Sequence, residues 1–243
     1  MHYFDDFDLP RFLPVAAAFG QARYGFIVTP NVDHLIRFHD DAAFREIYRA
    51  AAFVLLDSRV VARLLRAFRS VTLPVCPGSD LTAALFTDVI RPTDRIVVIG
   101  GSPHQAQLLA QRYSLGALTH HEPPMGFVRD GPAIERCLQV VEDASPFRFC
   151  FLAVGSPQQE ILAHALAERG RARGLALCVG ASLNFLTGIE RRAPRWVQQA
   201  GFEWLYRLLG SPRRMAYRYL VRGPRFFAQL FSSRFELRAR TTD

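Results

Sequence analysis

Apolar positions in this chain fall into two patterns, short unbroken runs and longer stretches with helical spacing. Phe149 to Val154 is an unbroken apolar run rich in β-formers, as expected of a strand buried on both faces. Gly155-Ser156 ends it, and Pro157 is suited to open a helix at its first position. Similar runs predict strands at Arg23–Val28, Phe53–Leu56, Arg95–Ile99, Ala117–Thr119 and Leu175–Val179. Between them, spacing predicts helices from about Val32 to Ala52, Arg59 to Arg69, and Asp80 to Ile90, with Asp80 as a cap. Further helices are expected from Pro103 to about Tyr113, from about Gly131 to Glu142, and after Pro157 to about Arg169. Strands alternating with helices predict an α/β fold: a Rossmann-like, mostly parallel sheet with helices on both faces, over residues 1–190.

In such a sheet the ligand sits beyond the carboxyl ends of the strands. Those ends carry Thr29, Asn31, Asp57, Gly100-Gly101-Ser102, Gly155-Ser156 with Gln159, and Gly180-Ala181-Ser182. Glycines let a backbone approach a ligand closely, and a helix opening after Gly155 offers free N–H groups to a phosphate. An ordinary α/β turn explains Gly155 by itself equally well; the polar cluster Gln158-Gln159-Glu160, placed where side chains would face that crevice, favours the ligand. Asp57 is the one acid at a strand end, which makes it the candidate general base. A helix N-cap is the other reading of Asp57, and the two roles are compatible.

Charge divides the chain. All 30 basic residues are arginines, against 22 acids, and the net charge is +8. From Arg191 onward arginines outnumber the acids Glu203, Glu236 and Asp243 heavily, so the basic character belongs to residues 191–243. That segment interleaves arginines with Trp196, Trp204, Tyr206, Tyr217, Tyr219, Phe226, Phe227 and Phe231 and reads as two or three helices between Trp196 and Phe235. Such a surface suits an anionic membrane interface or a diphosphate; aromatics packed on the core with solvated arginines are the plainer alternative. Cys76, Cys137, Cys150 and Cys178 form no Cys-x-x-Cys pair and read as small apolar residues in a reducing compartment. The N-terminus is acidic, unlike a signal peptide, and no run approaches the ~18 apolar residues of a membrane span. A cytoplasmic location is expected.

Several motifs, taken in order, resemble the bacterial WecG/TagA/CpsF glycosyltransferases. They are Thr29-Pro-Asn31, the strand-end Asp57, Pro77-Gly-Ser-Asp-Leu81, Val98-Ile-Gly-Gly-Ser-Pro103 and Val154-Gly-Ser-Pro-Gln-Gln-Glu160. Val179-Gly180, Arg192-Ala-Pro-Arg-Trp196, Gly201-Phe-Glu-Trp-Leu-Tyr-Arg207 and Ser211-Pro-Arg-Arg214 complete the series. The resemblance implies an inverting, metal-independent enzyme with no cofactor. It would move N-acetylmannosamine, its uronate or glucose from a UDP donor to a polyprenyl-diphosphate-linked sugar, at the inner face of the cell membrane. Asp57 would be the base, with Thr29 and Asn31 lining the pocket beside it. Gly100, Gly101, Ser102, Gly155 and Gln159 would meet the donor. Arg192, Arg207 and Arg214, in a basic helical appendage, would neutralise the departing diphosphate. Departures from the family pattern are Leu56-Asp57-Ser58 in place of Pro-Asp-Gly, Val75 where an arginine is common, and Ala181-Ser-Leu-Asn-Phe185 after Val179-Gly180. The oligomeric state stays open between a monomer and a homo-oligomer.

Three rival readings are weaker. Asp6-Phe7-Asp8 spells the Asp-x-Asp of metal-dependent glycosyltransferases but lies far from any expected strand end. A nicotinamide- or methyl-donor enzyme lacks its fingerprint, since Gly100-Gly101 is not followed by the full glycine pattern or a suitably spaced acid. A nucleic-acid-binding module built on the basic tail would leave the strand-end cluster without a purpose, so no nucleic-acid partner is expected. The histidines show no zinc-ligand spacing.

Overall fold

A computed structural model describes residues 2–190, 193–194, 197, 206 and 233–238. In chain order the elements are β1 (His2–Asp5), α1 (Leu9–Ala18), β2 (Tyr24–Val28), α2 (Val32–Asp40), α3 (Ala42–Ala50) and β3 (Phe53–Val54). Then come α4 (Arg59–Arg69), α5 (Gly78–Ala84, extended by a π-helical turn over Leu85–Val89), β4 (Arg95–Ile99), α6 (Pro103–Tyr113) and β5 (Ala117–His121). A 3-10 turn (Phe127–Arg129) precedes α7 (Gly131–Asp143), β6 (Phe149–Leu152), α8 (Gln158–Arg169), β7 (Gly174–Cys178), α9 (Ser182–Leu186) and β8 (Phe235–Arg238).

Strands β2 to β7 form one sheet in the order β3-β2-β7-β6-β4-β5, and every pairing is parallel. Side chains alternate between two apolar layers. Phe26, Val28, Val97, Ile99, Cys150, Leu152, Ala176 and Cys178 face one layer with α2, α3, α4, α7 and α8. Ile27, Ile96, Val98, Phe149, Phe151, Leu175 and Leu177 face the other, with α1, α5, α6 and α9. The handedness of parallel connections explains this sorting. Steps toward the β3 edge (β2 to β3, β5 to β6, β6 to β7) send α2, α3, α7 and α8 to the first face. The step toward the β5 edge from β4 sends α6 to the second. Chains leaving β4 and its neighbour β6 therefore part to opposite faces and open a crevice at their carboxyl ends.

The expected helix over Val32–Ala52 is two. Asp41, extended at φ −123° and ψ 114°, ends α2 and caps α3 by accepting from the Phe44 N–H at 3.2 Å. Paired aspartates at 40–41 favour such a break, because their side chains compete for backbone donors. Asp80 does not cap α5: the N-cap is Pro77, and Asp80 pairs with Arg59 at 3.1 Å. Pro157 is likewise the N-cap of α8 rather than its first residue.

A second, two-stranded ladder was not anticipated. β1 lies parallel to β8, with His2 opposite Phe235 and Asp5 opposite Arg238. The buried Asp5 carboxylate takes both the Nε–H of Arg238 (2.8 Å) and its Nη2 (3.0 Å), and also accepts from the Val54 N–H at 2.7 Å. Phe4 and Phe235 join the first apolar layer, so the chain's last described residues pack on its first. No helix among the described residues is long and apolar enough to cross a membrane.

Candidate active site

Three groups of residues occupy the carboxyl ends of the sheet. At the β2 and β3 ends, the Asp57 Oδ1 accepts from the Gly78 N–H at 2.8 Å, and the Asp57 N–H donates to the Pro30 carbonyl at 3.1 Å. A Cβ at Gly78 would lie 2.7 Å from the Thr29 hydroxyl, so Thr29 packs directly over this glycine. Gly78 is thus the point where Asp57 and Thr29 meet, and a side chain there would separate them. The capping role at α4 falls to Ser58, whose hydroxyl accepts from the Val61 N–H. Asp57 therefore does not cap α4, and its carboxylate accepts from the Gly78 N–H beyond the carboxyl end of β3. Arg59 adds a guanidinium nearby through its ion pair with Asp80.

The second group ties three strand ends together. Asn31 caps α2, accepting from the Asp33 N–H at 3.1 Å, while its own N–H donates to His34 Nδ1 at 3.3 Å. His34 Nε2 meets Glu160 Oε1 at 3.3 Å, Gln159 Nε2 donates to the same oxygen at 2.8 Å, and Gln159 Oε1 accepts from the Gly180 N–H at 2.8 Å. This relay runs from the β2 end through α8 to the β7 end. Glu160 is 1% exposed and its second oxygen has no hydrogen-bond partner among the described residues. Burial alone would push its carboxyl up. The His34 hydrogen bond and charge, with the Gln159 amide, outweigh that and hold it below the usual 4.5. Gln159, expected at the donor, is buried and has both ends of its amide engaged by the protein. It shapes the Gly180 turn.

The third group follows β4. Gly100 (φ +100°) and Gly101 (φ +70°) adopt conformations that favour glycine, and a Cβ on Gly100 would lie 2.8 Å from the Ala153 carbonyl. His120 Nε2 sits 3.2 Å from the Gly100 carbonyl and 3.1 Å from that of Gly101, which makes it a donor to both. Ser102 caps α6, accepting from the Gln105 N–H at 3.2 Å. Gln105 packs on Gly101 and donates to Asn184 Oδ1 at 2.7 Å, and Asn184 donates to Glu190. Gly155 (φ +77°) has open space where its Cβ would be, at the start of a helix whose N-cap makes no side-chain hydrogen bond.

These groups are strung along the sheet rather than gathered at one point. Neighbouring strands lie ~4.8 Å apart, so the ends of β3 and β4, four spacings apart, are on the order of 19 Å from each other. Asp57, Thr29 and Asn31 form one end of the crevice; Gly100, Gly101, Ser102 and Gly155 form the other. Arg192, Arg207 and Arg214 lie outside the described residues. So do the expected helices between Trp196 and Phe235, apart from single positions; Phe235 itself is in β8. His34, Gln105, His120 and Glu160 were not singled out from the sequence as site residues. Glu160 alone carried a signal, as the end of Gly155-Ser-Pro-Gln-Gln-Glu160.

Asp6-Phe7-Asp8 makes no cluster. Asp8 caps α1 through the Arg11 N–H at 3.1 Å, Asp6 pairs with the Arg11 side chain at 3.4 Å, and Phe7 is buried. Among the described residues no three or more His, Cys, Asp or Glu side chains stand together as metal ligands. All four cysteines are buried, and burial pushes the Cys76 thiol up to about 12 and that of Cys137 to about 11.

A parallel sheet with helices on both faces and glycine turns at its carboxyl ends defines an α/β class whose ligands sit beyond those strand ends. The family model for the glycosyl transferase WecG/TagA/CpsF family matches residues 3–240, nearly the whole chain, and the protein belongs to that family. It is a glycosyltransferase of cell-surface polysaccharide synthesis, acting on a sugar donor and an acceptor.

Proposed function

We propose that the protein transfers N-acetylmannosamine, its uronate or glucose from a UDP donor to a polyprenyl-diphosphate-linked sugar, with inversion and without a metal. The observation that carries this reading is Asp57: a strand-end carboxylate held by the Gly78 N–H and flanked by Thr29. In a single displacement the acceptor hydroxyl attacks the anomeric carbon, its proton passes to Asp57, and the bond to the diphosphate breaks with its electrons leaving on UDP. One general base suffices for such a step. Thr29 and Asn31 border the reacting sugar.

The elongated crevice suits an extended donor, with the sugar at the β2–β3 end and the nucleotide toward Gly100, Gly101, Ser102 and Gly155. Gln159 acts by fixing the Gly180 turn. Charge developing on the diphosphate needs positive partners, and a well-aimed donor contributes about 3 kcal/mol to a transition state. The N–H groups opening α8 and the arginines Arg192, Arg207 and Arg214 fill that role in this reading, with Arg59 nearby in place of the arginine replaced by Val75. The arginine-rich stretch before β8 is the membrane-proximal appendage in this reading and brings the enzyme to the inner face of the membrane where the lipid-linked acceptor resides, while β8 itself packs on β1.

Calorimetric titration with UDP tests the donor assignment. Binding of equal strength in EDTA and in magnesium is expected. Binding that requires magnesium would overturn metal-free diphosphate recognition, and absence of binding in both would overturn the UDP donor.

A further inference from the structure

A cleft of about 410 Å3 lies between β1, α2, α3 and β8. Its lining includes none of Asp57, Thr29, Asn31, Gln159 or the glycine turns; it reaches the catalytic loop only at Pro30, between Thr29 and Asn31. We propose that this cleft is a second ligand site, for a phosphate or diphosphate group carried on a molecule with an apolar or ring-bearing body.

Tyr48 supplies the first argument. It is 6% exposed, wedged against Phe44 and Phe38 with ring centroids 4.9 and 5.8 Å away, and it lines the cleft. Its hydroxyl has no hydrogen-bond partner among the described residues. That hydroxyl is itself enclosed, near Glu160, so what Tyr48 gives the cleft is its ring, a rigid apolar floor for the body of a ligand. Burial, and then the nearby Glu160 charge, keep the phenol well above its ordinary value, so it stays neutral.

Arg45 supplies the second. Its Nη1 donates to the carbonyls of Phe38 (3.0 Å) and His39 (2.9 Å), which anchors the guanidinium at the end of α2. No carboxylate lies within ion-pair distance of it among the described residues, and its other guanidinium nitrogens are left for an acceptor in the cleft. Arg49 and Arg238 also line the cleft, each with its own acid, Glu46 and Asp5. A planar guanidinium fork suits phosphate oxygens. The His2 ring, packed between Phe38 (4.5 Å) and Phe235 (5.0 Å), gives the cleft an apolar, aromatic wall for the body of the ligand. The volume falls within the range of small-molecule pockets, about 300–1,000 Å3. An occupant would press on Pro30, and through it on the loop that carries Thr29.

The test follows the imidazole resonances of His2, assigned by comparison with His2→Gln, during titration with pyrophosphate. A saturable shift is expected. Arg45→Gln, checked for folding by thermal melting, should weaken it about tenfold, the worth of one hydrogen bond to a charged group, while Tyr48→Phe, which keeps the ring, should leave it near wild type. Vesicles of phosphatidylglycerol, with phosphatidylcholine as the control, separate the sources. A shift with the anionic vesicles that pyrophosphate reverses assigns the site to a lipid headgroup; a shift with pyrophosphate alone assigns it to a soluble phosphate. The proposal is overturned if both probes leave His2 unmoved, or if folded Arg45→Gln responds as the wild type does. UDP binding is measured separately, so this outcome does not depend on the donor assignment.

Discussion

Gly155 and Gly100 show how differently two glycines serve one crevice. Both have positive φ, but a Cβ on Gly155 meets nothing within 4 Å, whereas one on Gly100 meets the Ala153 carbonyl. Gly155→Ala is expected to cost only the backbone strain, about 1–2 kcal/mol, while weakening UDP affinity, because in the proposed binding mode the donor occupies that open space. Gly100→Ala should cost more in folding, about 3 kcal/mol, from strain plus collision. Urea unfolding and UDP titration of the two variants separate these effects. Glu160 is a third case. Glu160→Ala removes the partner of both His34 and Gln159 and should cost about 3–5 kcal/mol, as expected when a buried pair is broken. Because folding holds its pKa below 4.5, the stability it contributes is complete above that value and is lost as pH falls through the lower folded value. Wild-type stability should therefore drop more steeply than that of Glu160→Gln below about pH 4.5.

At the scale of elements, the parallel sheet was legible because its strands are unbroken apolar runs buried on both faces. β4, β6 and β7 agree with expectation to within two residues at each end. β3 shrinks to two paired residues, yet Leu55 and Leu56 remain buried and the Leu55 N–H still bonds to Val28. The pattern of burial persisted while the ladder ended. What sequence periodicity did not show was the β1–β8 ladder, because both strands are short and 233 residues separate the Asp5–Arg238 pair. Nor did it show the relay from Asn31 to Gly180, whose members come from elements far apart in sequence. The ladder carries its own pH signature. Burial lowers His2 to about 4 from 6.5, so the neutral ring is the one the fold accepts. The stability it contributes is full above 6.5 and is lost as pH falls toward 4, by up to about 3 kcal/mol. His2→Phe, which keeps the ring packing, should flatten the thermal stability profile between those values.

For the whole molecule, the charge division motivates the role proposed for the C-terminal arginines in the reaction and at the membrane. A truncation at Arg191 would also remove β8 and leave the buried Asp5 without Arg238, so lost activity would not isolate the arginines. Replacing Arg207 and Arg214 together by glutamine keeps β8. Turnover should fall about 100-fold or more, and sedimentation with anionic vesicles should weaken, while the melting temperature stays near wild type. Wild-type turnover in that variant would remove these arginines from the account. The strand-end candidates could be located from the sequence because turns after buried strands have a fixed topological place. Their division of labour could not be, since Ser58 rather than Asp57 turned out to cap α4, and Gln159 turned inward to Gly180.

The most direct test of the central claim is the sugar-transfer rate of Asp57→Asn, measured beside its UDP affinity. The account predicts turnover reduced by about 10²–10⁴-fold with UDP affinity nearly unchanged, since the base acts on the acceptor and not on the nucleotide. Turnover within a few-fold of wild type would contradict it.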